Sequence, residues 1–198
     1  MERISIFERE TKETKIRVNL NLDGKGLFKG TTTIPFFDHM LTHLSKYSMI
    51  DLDLQASGDT QIDSHHTVED AAIVLGESIQ RALGDKRGIH RYGCFSLPMD
   101  EVLTQSSVDF SGRPFYVYNG PSLYEMSPFP AYDSELTDEF LQKLSVSARM
   151  NLHIQVFYGE NRHHIHESIF KSLGMAIRQG IAIDPRRGDE IPSTKGII

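Results

Sequence analysis

The chain has 198 residues, 39% hydrophobic and 24% charged, an ordinary globular composition, and its formal net charge of −6 argues against a general nucleic-acid surface. Its one cysteine, Cys94, excludes a disulfide framework and a thiolate zinc site. Charges at Glu2, Arg3 and Glu8 stand where a secretory leader needs apolar residues, and apolar runs such as 71–75 are too short to cross a bilayer, so no membrane partner is expected and the cytoplasm is the expected compartment.

Residues 16–22 alternate Ile16, Val18, Leu20 and Leu22 with polar neighbours, the pattern of a half-buried strand, and Asp23-Gly24-Lys25-Gly26 is a turn. Residues 31–34 are β-branched up to Pro35, which predicts a strand finishing before a helix. Residues 37–47 put Phe37, Met40, Leu41 and Leu44 on one helical face, and 52–55 read as a strand. Asp63 or Ser64 caps a long helix to about Leu83, with Val68, Ala71, Ala72, Leu75 and Ile79 turned inward, and Gly84-Asp85 ends it. The rest repeats that plan: strands within 94–118, a helix over 134–146, a strand over 150–158 and a helix over 162–178. The fold class this predicts is α+β, with sheets covered on one face by helices.

The repetition is visible in the residues themselves. Asp38-His39-Met40-Leu41 is echoed by Asp138-Glu139-Phe140-Leu141, and Leu52-Asp53-Leu54-Gln55 by Leu152-His153-Ile154-Gln155. His65-His66-Thr67-Val68-Glu69 is echoed by His163-His164-Ile165-His166-Glu167, and Leu75-Gly76 by Leu173-Gly174. Residues 1–92 are therefore expected to form a first βα half, and residues 93–198 a second that carries a C-terminal tail.

In a helix His65 and Glu69 share a face, while His66 lies about 100° around the axis; His163, His164 and Glu167 repeat that geometry. Adjacent imidazoles then point in different directions, so one His-His-x-x-Glu motif can serve two metals. His39 and its counterpart Glu139 lie where each adds a ligand. Imidazole plus carboxylate without sulfur suits Mn, Fe, Co, Ni or Zn. Alone, one His-His pair reads best as surface histidine; two copies with matching glutamates reverse that. His43, His90, His153 and His166 read as exposed or hydrogen-bonded residues. Cations cluster near motif ends: Lys86-Arg87 with Arg91, Arg113 in a Ser-Gly-Arg-Pro turn, Lys171 one turn past Glu167, and Lys195 in a Ser-Thr-Lys-Gly tail whose end, Ile197-Ile198, looks built to dock. Such groups suit phosphate, although singly each is best read as a solvated charge.

These segments resemble imidazoleglycerol-phosphate dehydratases nearly end to end. The resemblance is carried by Arg9-x-Thr11-x-Glu13-Thr14, Pro35-Phe36-Phe37-Asp38-His39-Met40-Leu41, Asp63-x-His65-His66-Thr67-Val68-Glu69-Asp70 and Gly84-Asp85-Lys86-Arg87-Gly88-Ile89 in the first half. In the second it rests on Pro98-Met99-Asp100-Glu101, Asp109-Phe110-Ser111-Gly112-Arg113-Pro114, Gly159-Glu160-Asn161-x-His163-His164-x-x-Glu167, Phe170-Lys171 and Pro192-Ser193-Thr194-Lys195-Gly196.

The resemblance implies internally duplicated βββαβα-type halves with helices packed between two mixed β-sheets (ribosomal protein S5 domain 2-like). It implies a homo-oligomer of 24 chains with active sites at subunit interfaces, two Mn2+ per active site, and a small phosphorylated imidazole as substrate. One ion would take His65, Glu69 and His163, with Glu139 nearby; the other would take His39, His66, His164 and Glu167. Glu13 would be the general base, and Arg91, Arg113, Lys171, Ser193 and Lys195 the phosphate pocket. The chain departs from many members in having Glu139 for histidine, His43 for glutamine and Tyr47 for histidine. The implied reaction removes water from D-erythro-imidazole glycerol phosphate. Its difficulty is a C–H with no carbonyl beside it: an imidazolate ring would expel the adjacent hydroxyl, and Glu13 would then take the acidified proton. Two other readings are a di-iron, ferritin-like oxidase, whose helices favour Glu-x-x-His and more carboxylates, and a non-enzymatic metal-binding cage, which leaves Glu13, Ser193 and Lys195 unexplained.

Overall fold

In the computed structural model, which describes residues 2–198, period-two apolar patterning builds two four-stranded sheets. The first contains β1 (Ile4–Glu10), β2 (Thr14–Asn21), β3 (Phe28–Thr31) and β4 (Asp51–Gly58) in the order β1-β2-β4-β3, with β3 parallel to β4 and the other pairs antiparallel. The second contains β5 (Tyr92–Met99), β6 (Val102–Asp109), β7 (Phe115–Asn119) and β8 (Asn151–Tyr158) in the order β5-β6-β8-β7, paired in the same way. Helices α1 (Pro35–Ser48) and α2 (His65–Leu83) belong to the first half, α3 (Leu136–Ser147) and α4 (Arg162–Ile181) to the second. Each half thus runs βββαβα, and the four helices lie between the sheets. α2 packs on β1 and β2, α4 packs on β5 and β6, and the halves meet where α1 packs on α4 and α2 on α3.

The core lies between the sheets. Ile16↔Ala56, Val18↔Leu54 and Leu20↔Leu52 are cross-strand partners, and all six side chains are buried, each large one contributing roughly 1.5–3 kcal/mol by leaving water. The equivalent face of β6 carries Val102 and Val108 at its ends but is polar in the middle. Thr104 and Ser106 are buried there and satisfy themselves against α4, through hydroxyl pairs with Ser168 at 2.7 Å and Ser172 at 2.6 Å.

The repeated glycines set how closely the halves approach. A Cβ on Gly76 would stand 2.6 Å from Ser147 Cβ and 2.8 Å from the Ala148 nitrogen. One on Gly174 would stand 2.9 Å from the Leu44 carbonyl oxygen and 2.9 Å from Tyr47 Cβ. Both helix pairs therefore cross closer than any side chain at those positions allows.

One expectation changes. The strand expected over 31–34 is β3, Phe28–Thr31, four residues that end where the other was to begin. Thr32 and Thr33 turn instead: Thr33 has φ 65°, and the Asp38 carboxylate accepts from the Thr32 nitrogen at 2.7 Å and from both the Thr31 and Thr32 hydroxyls. Hydroxyls drawn back to a helix carboxylate compete with ladder pairing. In addition, the charged N-terminal segment forms β1, an edge strand whose outward Ile4 and Ile6 remain exposed.

Lys86 is only 3% exposed, and its ammonium donates to the Phe110 carbonyl at 3.1 Å. Burial, with Arg149 nearby, pushes it down to about 8 from 10.5 despite Asp109. Below pH 8 both the folded and the unfolded forms carry this proton. Between 8 and 10.5 only the unfolded form holds it, so stability from Lys86 rises with pH. In denaturant titrations the native protein should gain on the order of 2 kcal/mol relative to Lys86→Met between about pH 7.5 and about pH 10. A difference that stays flat across that interval contradicts the assignment.

Candidate metal centre

The two histidine helices begin alike. The Asp63 carboxylate accepts from the His65 nitrogen at 2.8 Å at the start of α2, and the Asn161 side chain accepts from His163 at 2.9 Å and His164 at 3.4 Å at the start of α4. These caps hold the first helical turn where consecutive side chains leave about 100° apart. The first imidazole of each pair faces the glutamate four residues on; the second faces elsewhere.

On α1 and α4, His39 Nε2 is 3.2 Å from Glu167 Oε2, His163 Nε2 is 3.1 Å from the same oxygen, and His43 Nε2 is 3.2 Å from Glu167 Oε1. His39 and His43 bring their Nε2 atoms to 3.2 Å of each other. Burial raises the Glu167 carboxyl, but Lys171, His43 and His39 together hold it down at about 2. Burial also pushes the His43 imidazole down to about 4, against the pull of Glu167, so it presents a lone pair at neutral pH. His43, read from sequence as a bystander, thus joins this set; its i, i+4 spacing from His39 was the available signal.

On α2 and α3, ligand atoms of His65, Glu69 and Glu139 come within 4.8 Å of one another, with His65 Nε2 4.0 Å from Glu139 Oε1. Lys143 Nζ reaches Glu69 Oε1 at 2.8 Å and Glu139 Oε1 at 3.2 Å, and this contact holds the Glu69 carboxyl below its usual range.

The second imidazoles meet carboxylates at loop and hairpin positions. His66 Nδ1 is 3.1 Å from Asp59, and its Nε2 is 3.9 Å from Glu13 at the tip of the β1–β2 hairpin. His164 Nδ1 is 2.8 Å from Glu101, and its Nε2 is 3.7 Å from Asp100 at the tip of the β5–β6 hairpin. The contacts with Asp59 and Glu101 raise the two imidazoles above their ordinary values. Each ring thus has Nδ1 held by a carboxylate and leaves Nε2 to a longer contact with a hairpin carboxylate, and a carboxylate on one ring nitrogen is the arrangement that orients a histidine ligand.

Within one protomer, His163 therefore sits with His39 and Glu167 rather than with His65 and Glu69, and His66 and His164 join neither set. His166 also departs from expectation. It is fully buried, its ring 5.3 Å from Phe129 and 5.9 Å from Phe36, and neither ring nitrogen has a partner among the described residues. Burial pushes it down to about 3, so it packs as a neutral aromatic.

Of the cations, Lys171 Nζ lies 2.5 Å from Glu167 Oε1. Arg91 pairs its guanidinium with both Asp109 oxygens, at 2.7 and 3.1 Å, and donates to the Pro192 carbonyl at 2.9 Å. It therefore fastens the tail, whose last residue, Ile198, lies against Gly112 beside the exposed Arg113. Ser193 is half-buried, and Lys195 is exposed with no ion-pair partner among the described residues. Arg91→Ala should raise amide hydrogen exchange across 192–198 by roughly tenfold while the sheets stay protected. Unchanged exchange in the tail removes Arg91 from this role.

Among the described residues no helix is long and apolar enough to cross a membrane. Residues 32–177 match a family model described as imidazoleglycerol-phosphate dehydratase. The chain is 58% identical over 198 residues, all of both chains, to a protein of that name from Leptospira biflexa, and 50% identical over 190 residues, 96% of this chain and 95% of the other, to one from Azorhizobium caulinodans. Crystal structures of the enzyme from Staphylococcus aureus (32% identity, TM-score 0.80, 91% of this chain and 100% of the other) and from Pyrococcus furiosus (33%, 0.82, 97% and 100%) share the fold.

Proposed function

The chain belongs to the imidazoleglycerol-phosphate dehydratase family, and from that membership we propose how its own residues carry out the reaction. It is a hydro-lyase that converts D-erythro-imidazole glycerol phosphate to imidazole acetol phosphate and water in histidine biosynthesis. The oxidase and cage readings are not favoured.

The observation that carries the proposal is the pair of duplicated sets, His39, His43, His163 and Glu167 on one side and His65, Glu69 and Glu139 on the other. Imidazoles beside carboxylates, without sulfur, are a donor chemistry that fits manganese, and two Mn2+ per active site is the assignment proposed here. His66 and His164 complete the donor count: held from behind by Asp59 and Glu101, they turn Nε2 away from their own helix's set. They are therefore proposed to serve a neighbouring copy, in an assembly of 24 chains. The cytoplasm, proposed as its compartment, suits the free Cys94 thiol.

A bound divalent ion supplies Lewis acidity that favours the anionic form of the substrate's imidazole. The protein's own groups do the rest. Glu13 stands at the rim, more than half exposed and 3.9 Å from His66 Nε2, with its carboxylate available to take the proton from the substrate's acidified carbon. Arg91, Arg113, Lys171, Ser193 and Lys195 hold the phosphate, and Arg91 also positions the tail that carries two of them. Fixing both ends of the substrate supplies the orientation the proton transfer needs.

Chelation should abolish dehydration, and added Mn2+ should restore it in a species whose native mass corresponds to 24 chains. Full turnover after exhaustive chelation overturns the metal assignment, and an active monomer overturns the shared site. Glu13→Gln should lower kcat by about 100-fold or more, the usual worth of a positioned base, while leaving metal content unchanged. Near-normal turnover excludes Glu13 as the base.

A further inference from the structure

The two halves put different chemistry at equivalent positions around their histidine–carboxylate sets. By the repeat, His39 corresponds to Glu139, His43 to Lys143, His163 to His65 and Glu167 to Glu69. In the α1–α4 set, position 43 supplies a lone pair: His43 Nε2 is 3.2 Å from both His39 Nε2 and Glu167 Oε1. In the α2–α3 set, position 143 supplies an ammonium, 2.8 Å from Glu69 Oε1 and 3.2 Å from Glu139 Oε1. An ammonium has three donors and no lone pair. It cannot bind a metal, but it can stand between two carboxylates in place of one.

We propose that the two centres take up divalent metal unequally: the α1–α4 set is the tighter, and Lys143 is a tethered cation that an incoming ion must displace from the α2–α3 set. The inference rests on the metal-binding reading given above and refines it. Lys171 is not the mirror image of Lys143. It engages Glu167 Oε1 and leaves Oε2 to His39 and His163, whereas Lys143 occupies an oxygen of both carboxylates in its set. The position equivalent to Lys171 in the first half is Ile73, so the asymmetry extends past the ligands. A tethered group competes at a fixed, high effective concentration. With Lys143 32% exposed on a flexible stem, it can swing out, so the α2–α3 set stays usable at reduced affinity.

The test is a titration of the metal-free, full-length protein with Mn2+, with the free aqueous ion read by its electron paramagnetic resonance signal. The native protein should show two classes of site with affinities about tenfold or more apart. Lys143→Met, which keeps the stem and removes the charge, should tighten the weaker class by about tenfold and leave the stronger one unmoved. His43→Gln should weaken the stronger class alone. Lys143→Gln provides an independent removal of the charge, and thermal unfolding of the metal-free proteins shows that each variant is folded. Equal affinities in the native protein, or a weaker class unmoved by both Lys143 variants, overturn the inference while leaving the metal reading intact. No Mn2+ bound by any of the proteins overturns both.

Discussion

Gly76 and Gly174 let α2 approach α3, and α4 approach α1, more closely than any Cβ allows. Every polar grouping between the helices depends on that proximity. Glu167 reaches His39 and His43 only because α4 lies directly on α1, and Glu69 reaches Lys143 and Glu139 only because α2 lies directly on α3. The sheets act at one remove. Their paired inner faces bury the apolar sides of the helices and leave the helix–helix seams as the place where charge gathers. A larger residue at either glycine would push the helices apart and separate donors that now stand near 3 Å.

The same seams explain why the molecule divides its imidazoles. A helix start can aim one histidine along the seam, but the next residue turns about 100° away. That second ring falls under the hairpin of its own sheet, where Asp59 or Glu101 takes Nδ1. Each pair thus places one imidazole in an intrachain set and the other beside a hairpin carboxylate, Glu13 in the first half and Asp100 in the second. The proposed base and His66 sit together because they lie on the first hairpin and the helix beneath it, so chemistry at this rim needs no long-range coupling within the protomer.

Much of this was legible in the residues. The duplication, the α+β class and both long histidine helices follow from spacing and repetition, since a 3.6-residue period and a repeated motif are local signals; the grouping of His39 with Glu167 came from the family resemblance alone. What escaped was decided by tertiary contact. The edge strand β1 has an alternating pattern, but its outward Ile4 and Ile6 and its charges mimic an unstructured start. The hydroxyls of Thr31 and Thr32 read as β-branched strand until the Asp38 carboxylate is placed beside them. His166 is polar by composition and apolar by surroundings, caged by Phe36 and Phe129. That Arg91 pairs with the protein's own Asp109 is likewise a tertiary contact that its sequence neighbours do not reveal.

Duplication makes the remaining asymmetry informative. Two copies of one motif start with the same donors, and helix packing still holds them to the same geometry. A difference at matched positions is therefore chemical rather than architectural. His43 against Lys143 is such a difference, and it runs with a second, His39 against Glu139: one seam carries three imidazoles and one carboxylate with Lys171 on one of its oxygens, the other one imidazole and two carboxylates with Lys143 between them. Two carboxylates facing each other in a partly dry seam repel unless a cation stands between them. Lys143 meets that need when no metal is bound, so the extra carboxylate and the lysine stabilise each other as a pair. The α1–α4 seam carries a single carboxylate and has no such repulsion to relieve, and Lys171 engages only one of its oxygens. Holding α2 against α3 in the absence of metal and weakening the ion's grip there are thus two consequences of the same ammonium.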